Sequence, residues 1–119
     1  MVKVVIVGDA PSSKNVNANI AFVGAKCFNT VVSWIKHLSP DYYVCVNSDD
    51  DNNLSNIQSL AQDNFKIVAL GNNAAGRLAS KKINFFKMPH PSGLNRQLND
   101  KDYIDKVLKD CYAYVRDKN

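Results

Sequence analysis

The fold turns on VKVVIVG, residues 2–8, a nearly unbroken apolar run that ends in glycine. A strand with one wet face alternates apolar and polar residues. A run that is apolar on both faces reads instead as a strand inside a parallel sheet, covered by helices on both sides. Outward from it, similar runs recur at YYVCV (42–46), KIVAL (66–70) and NFFKM (84–88). Between them the periodicity becomes helical. From about Phe22 to Leu38, residues Val23, Cys27, Val31 and Ile35 recur every four positions. Phe28, Trp34 and Leu38 widen that stripe, and Ser39-Pro40 ends it. Leu54–Gln62 reads as a short helix with Leu54, Ile57, Leu60 and Ala61 inward. Asn72 or Asn73 can cap a helix running through Ala75 to Ser80. Asp100–Arg116 closes the chain with Tyr103, Ile104, Val107, Leu108, Cys111 and Val115 on one side. Strands alternating with helices predict a three-layer α/β/α sandwich with a parallel sheet of about four strands, in one domain over residues 1–119.

Composition narrows the classes. Apolar residues make up 45% of the 119, as in an ordinary globular protein. No apolar run approaches the ~20 residues of a membrane span. The first strand follows Met1 almost at once, with no charged leader, hydrophobic segment and cleavage site between, so a protein kept in the cytoplasm is expected. Three cysteines, Cys27, Cys45 and Cys111, are widely spaced in apolar surroundings and read as buried, reduced thiols. They form no C-x-x-C pair, which argues against a zinc or iron–sulfur site. The net charge of +4 is compatible with nucleic acid without requiring it. Its distribution is uneven. Asp49, Asp50 and Asp51 form an acidic block, whereas Lys81, Lys82, Lys87 and Arg96 are expected to cluster as a polyanion surface.

In open α/β sheets ligands bind beyond the carboxyl ends of the strands. Gly8-Asp9, Asn47, Gly71-Asn72 and His90 all stand there. In GDAPSS (8–13), Gly8 permits a tight exit and Pro11 stiffens the loop. Ser12 and Ser13 offer donors to an anion such as a phosphate. Asp9 either caps a turn, or positions a water, or stabilises a developing cation. In HPSGLNR (90–96), His90 is held between two prolines; it is either an ordinary loop residue or a group suited to stabilise negative charge in a transition state. Ser92 and Gly93 let backbone approach a phosphate. Leu94, beside Asn95 and Arg96, either tucks into the core or inserts into a base stack. Asn47 either reads a base edge through paired donor and acceptor or forms a turn beside Ser48. Phe22 is a core residue or a stacking platform. GNNAAGR (71–77) lacks the residues of a phosphate-binding glycine loop and reads as a small-residue helix start, with Arg77 at the surface.

Taken together, these segments resemble the uracil-DNA glycosylase superfamily. GDAPSS is similar to its first motif, AFVGAKCFNTVVSWI (21–35) to the P-F-V-G segment and helix of the iron–sulfur branch, and IVALGNNAAGRLA (67–79) to the strand–Gly–helix segment. HPSGLNR is similar to the second motif, its G-L-N-R part nearest the mismatch-specific branch. The resemblance runs from about residue 3 to residue 97. Its departures are specific. The cluster cysteines are absent, so no cofactor and no metal are expected. The chain begins at the first strand, where the family usually carries a helical segment. The acidic Asn47–Asp51 turn stands in place of a basic, proline-containing stretch, and Asp9 stands where the nearest branch has Glu.

The resemblance implies a monofunctional glycosylase that flips uracil, or a related modified or mismatched pyrimidine, out of DNA and leaves an abasic site. By position, it makes Asp9 the acidic residue of the chemical step and His90 the donor to the departing base oxygen. It makes Phe22 the stacking aromatic, Asn47 the base reader with Ser48 adjacent, and Leu94 the wedge. Ser12, Ser13 and Ser92 fall to the DNA backbone, and Gly93 and Arg96 are expected beside Leu94 among the DNA-binding residues. The expected partner is single- or double-stranded DNA, met by a monomer away from membranes. Two other readings stand beside it. One is a glycosylase fold that binds DNA without excision, marked by salt-dependent binding and no base release. The other is an α/β enzyme whose first loop holds a free nucleotide's phosphate.

Overall fold

The computed structural model describes residues 1–9, 28–91 and 100–117. Four strands, β1 (Lys3–Gly8), β2 (Tyr42–Asn47), β3 (Lys66–Leu70) and β4 (Phe86–Met88), form one sheet in the order β2-β1-β3-β4. Every pairing is parallel, with Gly8 opposite Asn47, Val7 opposite Ala69, and Leu70 opposite Met88. Four helices accompany them: α1 (Phe28–Leu38), α2 (Asp51–Gln62), α3 (Asn72–Ser80) and α4 (Lys101–Val115).

β1 explains the layering. Its side chains alternate between faces. Val4 and Ile6 enter one core with Val31, Trp34 and Leu38 of α1 and Leu108, Cys111 and Val115 of α4. Val5 and Val7 enter the other with Leu54 and Ile57 of α2 and Ala74, Ala75 and Leu78 of α3. Both faces of β1 are therefore dry, as its unbroken apolar run requires, and the sandwich is three-layered. Burying a side chain the size of valine or leucine is worth about 1.5–3 kcal/mol. The two clusters therefore account for much of the driving force.

Several local expectations are corrected. β2 is an apolar run like β1, but it is an edge strand, and Tyr42, Tyr43 and Val44 are exposed. α2 begins at Asp51 rather than Leu54, because Asp50 caps it. The Asp50 carboxylate accepts from the Asn53 amide at 2.7 Å, and Asp51 lies favourably in the first turn. The acidic block is thus mostly helix start, not turn. Neither Asn72 nor Asn73 caps α3; both are inside it, and Gly71 takes the cap position at φ 89°. β4 covers only Phe86–Met88, while the preceding Ile83 plugs the α2–α3 core. α4 starts at Lys101 with Asp100 as its cap, accepting from the Tyr103 amide at 3.1 Å. The expected start of the first helix at Phe22 lies outside the described residues, as does Cys27.

Cys111 is buried and Cys45 half-buried, both as free thiols. Burial pushes Cys45 up to about 11 and Cys111 up to about 12, which keeps both protonated at neutral pH. No helix among the described residues is long and apolar enough to cross a membrane.

Candidate active site

The strand order reverses direction between β1 and β3, and a crevice opens at such a switch point outside the carboxyl ends. Across that edge the chain places Asn47 at the end of β2, Asp9 after β1, Gly71 after β3 and His90 after β4. Adjacent strands are ~4.8 Å apart, so the exits of β1 and β4 lie roughly 10 Å apart. That gap admits a planar ring between side chains reaching in from the two sides.

Asp9 is the most heavily held of these residues. Arg77 of α3 donates from one nitrogen, Nη1, to Asp9 Oδ1 at 2.5 Å and to the Asp9 carbonyl at 2.9 Å. Asn73, also of α3, donates through Nδ2 to Asp9 Oδ2 at 3.0 Å. The Asn73 bond is the largest influence holding the Asp9 carboxyl below its usual range. Partial burial opposes it, and the bond and charge of Arg77 and the charge of His90 reinforce it. Asp9 is therefore a carboxylate at neutral pH, in electrostatic reach of His90.

Ser48 is almost wholly buried, and its hydroxyl is committed. It donates to the Gly8 carbonyl at 2.7 Å and accepts from Arg77 Nη1 at 3.2 Å. Asn47 differs. Its side chain is 4% exposed, and its Oδ1 has no hydrogen-bond partner among the described residues. A buried acceptor left unmade costs about 1–3 kcal/mol. Of the two neighbouring positions, Asn47 holds a buried acceptor without a partner among the described residues, whereas the Ser48 hydroxyl is committed.

His90 is exposed between two buried prolines, Pro89 and Pro91, so its backbone is clamped while its side chain stays accessible. Gly71 lies directly under it. A Cβ added at Gly71 would sit 2.9 Å from His90 Cδ2 and 3.0 Å from His90 Cβ. The Gly71 amide donates to the Met88 carbonyl at 2.9 Å, which ties α3's cap to the end of β4.

The sequence-predicted Asp9, Asn47 and His90 therefore meet at one sheet edge. Phe22, Ser12, Ser13, Ser92, Gly93, Leu94 and Arg96 lie outside the described residues. Arg77, expected at the surface, is instead half-buried against Asp9. The available signal was spacing: Asn73 and Arg77 are four positions apart, so a helix puts them on one face. The expected cluster of lysines is dispersed. Lys87 donates to Asn72 Oδ1 at 2.9 Å, Lys81 lies 3.8 Å from Asp51, and Lys82 lines a hollow at the amino end of the sheet. The turn between α3 and β4 separates neighbours in sequence. That hollow, about 870 Å³ and bordered by Lys3, Phe65 and Lys66, contains none of the predicted site residues. Among the described residues no group of three or more His, Cys, Asp or Glu side chains could hold a metal ion.

With that geometry established, comparison with known families decides the membership. Residues 1–111 match the family model of the uracil DNA glycosylase superfamily. The chain belongs to the uracil-DNA glycosylase superfamily. No curated protein and no solved structure matches it. The match spans both strand-end loops and all four strands, and it supports a glycosylase-type function acting on DNA. The residues at the sheet edge can be weighed against that chemistry. Rupture of a glycosidic bond places positive charge on the sugar and negative charge on the base. The edge offers an ionised carboxylate and a histidine on strands two places apart.

Proposed function

We propose that this protein is a monofunctional DNA glycosylase that hydrolyses the N-glycosidic bond of uracil, or of a related modified or mismatched pyrimidine, leaving an abasic site. The observation that carries this reading is the meeting of Asp9, His90 and the unpartnered amide oxygen of Asn47 at one switch-point edge, in a chain of this superfamily.

The flipped base enters between the strand exits. Asn47 reads its edge: the amide oxygen accepts the ring N–H and the amide nitrogen donates to the neighbouring carbonyl. Asp9, already a carboxylate, lies on the side of the sugar and stabilises its developing positive charge. His90 donates toward the carbonyl oxygen on which negative charge collects. The bond breaks with its electron pair going to the base, and water adds its oxygen to the sugar carbon. The proton that water sheds passes to solvent, and the departed base anion takes up a proton in exchange. A donor aimed at developing charge is worth roughly 3 kcal/mol, or about a hundredfold in rate. Phe22 as stacking platform, Leu94 as wedge, and Ser12, Ser13, Ser92, Gly93 and Arg96 on the DNA backbone complete the reading. The protein acts as a monomer.

The test is base release from single- and double-stranded oligonucleotides that carry uracil or mismatched pyrimidines, under single-turnover conditions. Asp9→Asn and His90→Ala should each slow release about a hundredfold or more while DNA affinity changes little. Absence of release at stoichiometric, folded protein would sink the proposal, and full activity in both variants would refute the roles. One observation favours a second reading, a DNA-binding module without excision: Arg77 lies against Asp9 and offsets its charge. That reading expects salt-dependent DNA binding with no base release on any substrate.

A further inference from the structure

The face of α3 that looks toward the exit of β1 carries two polar side chains, Asn73 and Arg77, and both end on Asp9. They do not share one oxygen. Asn73 holds Oδ2 at 3.0 Å, and Arg77 holds Oδ1. Rotation of the carboxylate about its Cβ–Cγ bond therefore breaks two hydrogen bonds at once. Arg77 is itself fixed, since the same Nη1 reaches the Asp9 carbonyl at 2.9 Å and Ser48 Oγ at 3.2 Å. Ser48 in turn is anchored on the Gly8 carbonyl at 2.7 Å. The ends of β1 and β2 and one face of α3 are thus riveted around a single carboxylate. Among the described residues, the titratable or charged groups whose fields reach Asp9 are Arg77, from α3, and His90, from beyond β4.

We propose that Asn73 and Arg77 are positioning residues for Asp9. They hold its two oxygens in one orientation, so that it acts as a fixed negative charge beside the sugar rather than as a base that swings onto water. A carboxylate acting as base must turn one oxygen to the water and finish the step carrying a proton. Here the proton would have to displace, or compete with, a charge-assisted bond from Arg77 or the bond from Asn73. A fixed anion undergoes no such change; it is ionised before the substrate arrives and stays so throughout. The ion pair that would otherwise suggest a disabled site is, on this account, the support of the active one. The inference rests on the glycosylase reading for its catalytic meaning, whereas the clamp on Asp9 is a property of the free protein.

The experiment measures both. In the free protein, the Asp9 carboxyl carbon is followed by NMR from pH 7 downward in the wild type, Asn73→Ala, Arg77→Gln and Arg77→Lys, with Asp9→Asn fixing the assignment. The wild-type midpoint should lie below that of an ordinary aspartate. Asn73→Ala and Arg77→Gln should each move it upward, and Arg77→Lys should move it less than Arg77→Gln. Asn73 is exposed and helical, so its alanine variant should fold; a thermal melt checks this. In single-turnover excision, Asn73→Ala should lower the rate roughly tenfold with unchanged oligonucleotide affinity. The acid limb of its pH–rate profile should shift in the same direction as the midpoint. An ordinary wild-type midpoint, or midpoints, rates and profiles unmoved by both Asn73→Ala and Arg77→Gln, would overturn the positioning role. If the midpoints shift as expected but the wild type releases no base, the clamp stands as structure and the glycosylase reading fails with its catalytic meaning. The two failures are thereby separated.

Discussion

Replacing Gly71 by alanine tests the coupling of fold to chemistry most sharply. Gly71 has φ 89° and ψ 178°, a region almost reserved for glycine, where a side chain costs about 1–3 kcal/mol. The added Cβ would also lie 2.9 Å from His90 Cδ2, 3.3 Å from Cγ and 3.0 Å from Cβ, where ordinary contact begins at 3.4 Å. A change of rotamer can remove the ring atoms from the way, at about 1 kcal/mol. It cannot move the His90 Cβ, which is fixed to a backbone held between buried Pro89 and Pro91. The backbone must yield by a few tenths of an ångström. The total is about 2–4 kcal/mol, which for a chain of this length lowers the melting temperature by roughly 8–15 °C. Displacing the ring should also slow excision roughly tenfold. The assay pairs a thermal melt with single-turnover release, each repeated in the His90→Ala background. There the loss of stability should persist, because backbone strain remains. The effect on rate should vanish, because the ring being displaced is gone. A Gly71→Ala protein that melts within about 1 °C of wild type and excises at the same rate would refute the reasoning. A rate loss of equal factor in both backgrounds would show that it does not act through His90.

Two further outcomes are expected. The folded Asp9 carboxyl is held below its unfolded value of about 3.9, so its interactions add stability that is complete above that pH and is lost as pH falls through the depressed folded value. Denaturant melts of wild type and Asp9→Asn between pH 7 and pH 2 should therefore converge toward the acid end; a gap that stays constant would contradict this. Asp50→Ala removes the carboxylate that accepts from the Asn53 amide and should cost about 1 kcal/mol in denaturant unfolding, whereas Asp49→Ala should cost little.

How much of this was legible in the sequence varies with the kind of signal. The doubly apolar VKVVIVG run prescribed a central strand, because burial on both faces is written directly into its composition. YYVCV is also an apolar run yet forms an edge, since strand order is decided by which helices cross which face and no single run records that. The start of α2 is hidden in the sequence because Asp49–Asp51 reads as a charge block, whereas Asp50 with the amide three residues later is a capping arrangement. At the site, Asp9, Asn47 and His90 could be placed from strand ends alone, for in a parallel sheet the carboxyl ends all point one way. Arg77 could not. Its neighbours in sequence are small helical residues, and its partner lies 68 positions away, so its role depends on the packing of α3 against β1.

α3 contains none of the groups assigned to the chemical step, yet it touches two of them. Its cap residue, Gly71, sets the height of His90, and its next turns, through Asn73 and Arg77, set the direction of Asp9. A helix is stiff along its axis, so the separation between the two charged partners of the breaking bond is fixed by one rigid element rather than by two loops moving independently. Coupling of this sort shows in double mutants. Changes that loosen Asp9 and changes that displace His90 act on one geometry, and their effects on rate should fail to add, whereas sites more than about 7–10 Å apart with no shared partner add within about 0.3–0.5 kcal/mol. Asn73→Ala combined with Gly71→Ala is the informative pair. If the helix works as a spacer, the double variant should lose less than the product of the single losses, because once the spacing is wrong a second error matters less. Strict multiplicativity would mean that α3 supports each residue separately and that the spacing between them is set elsewhere.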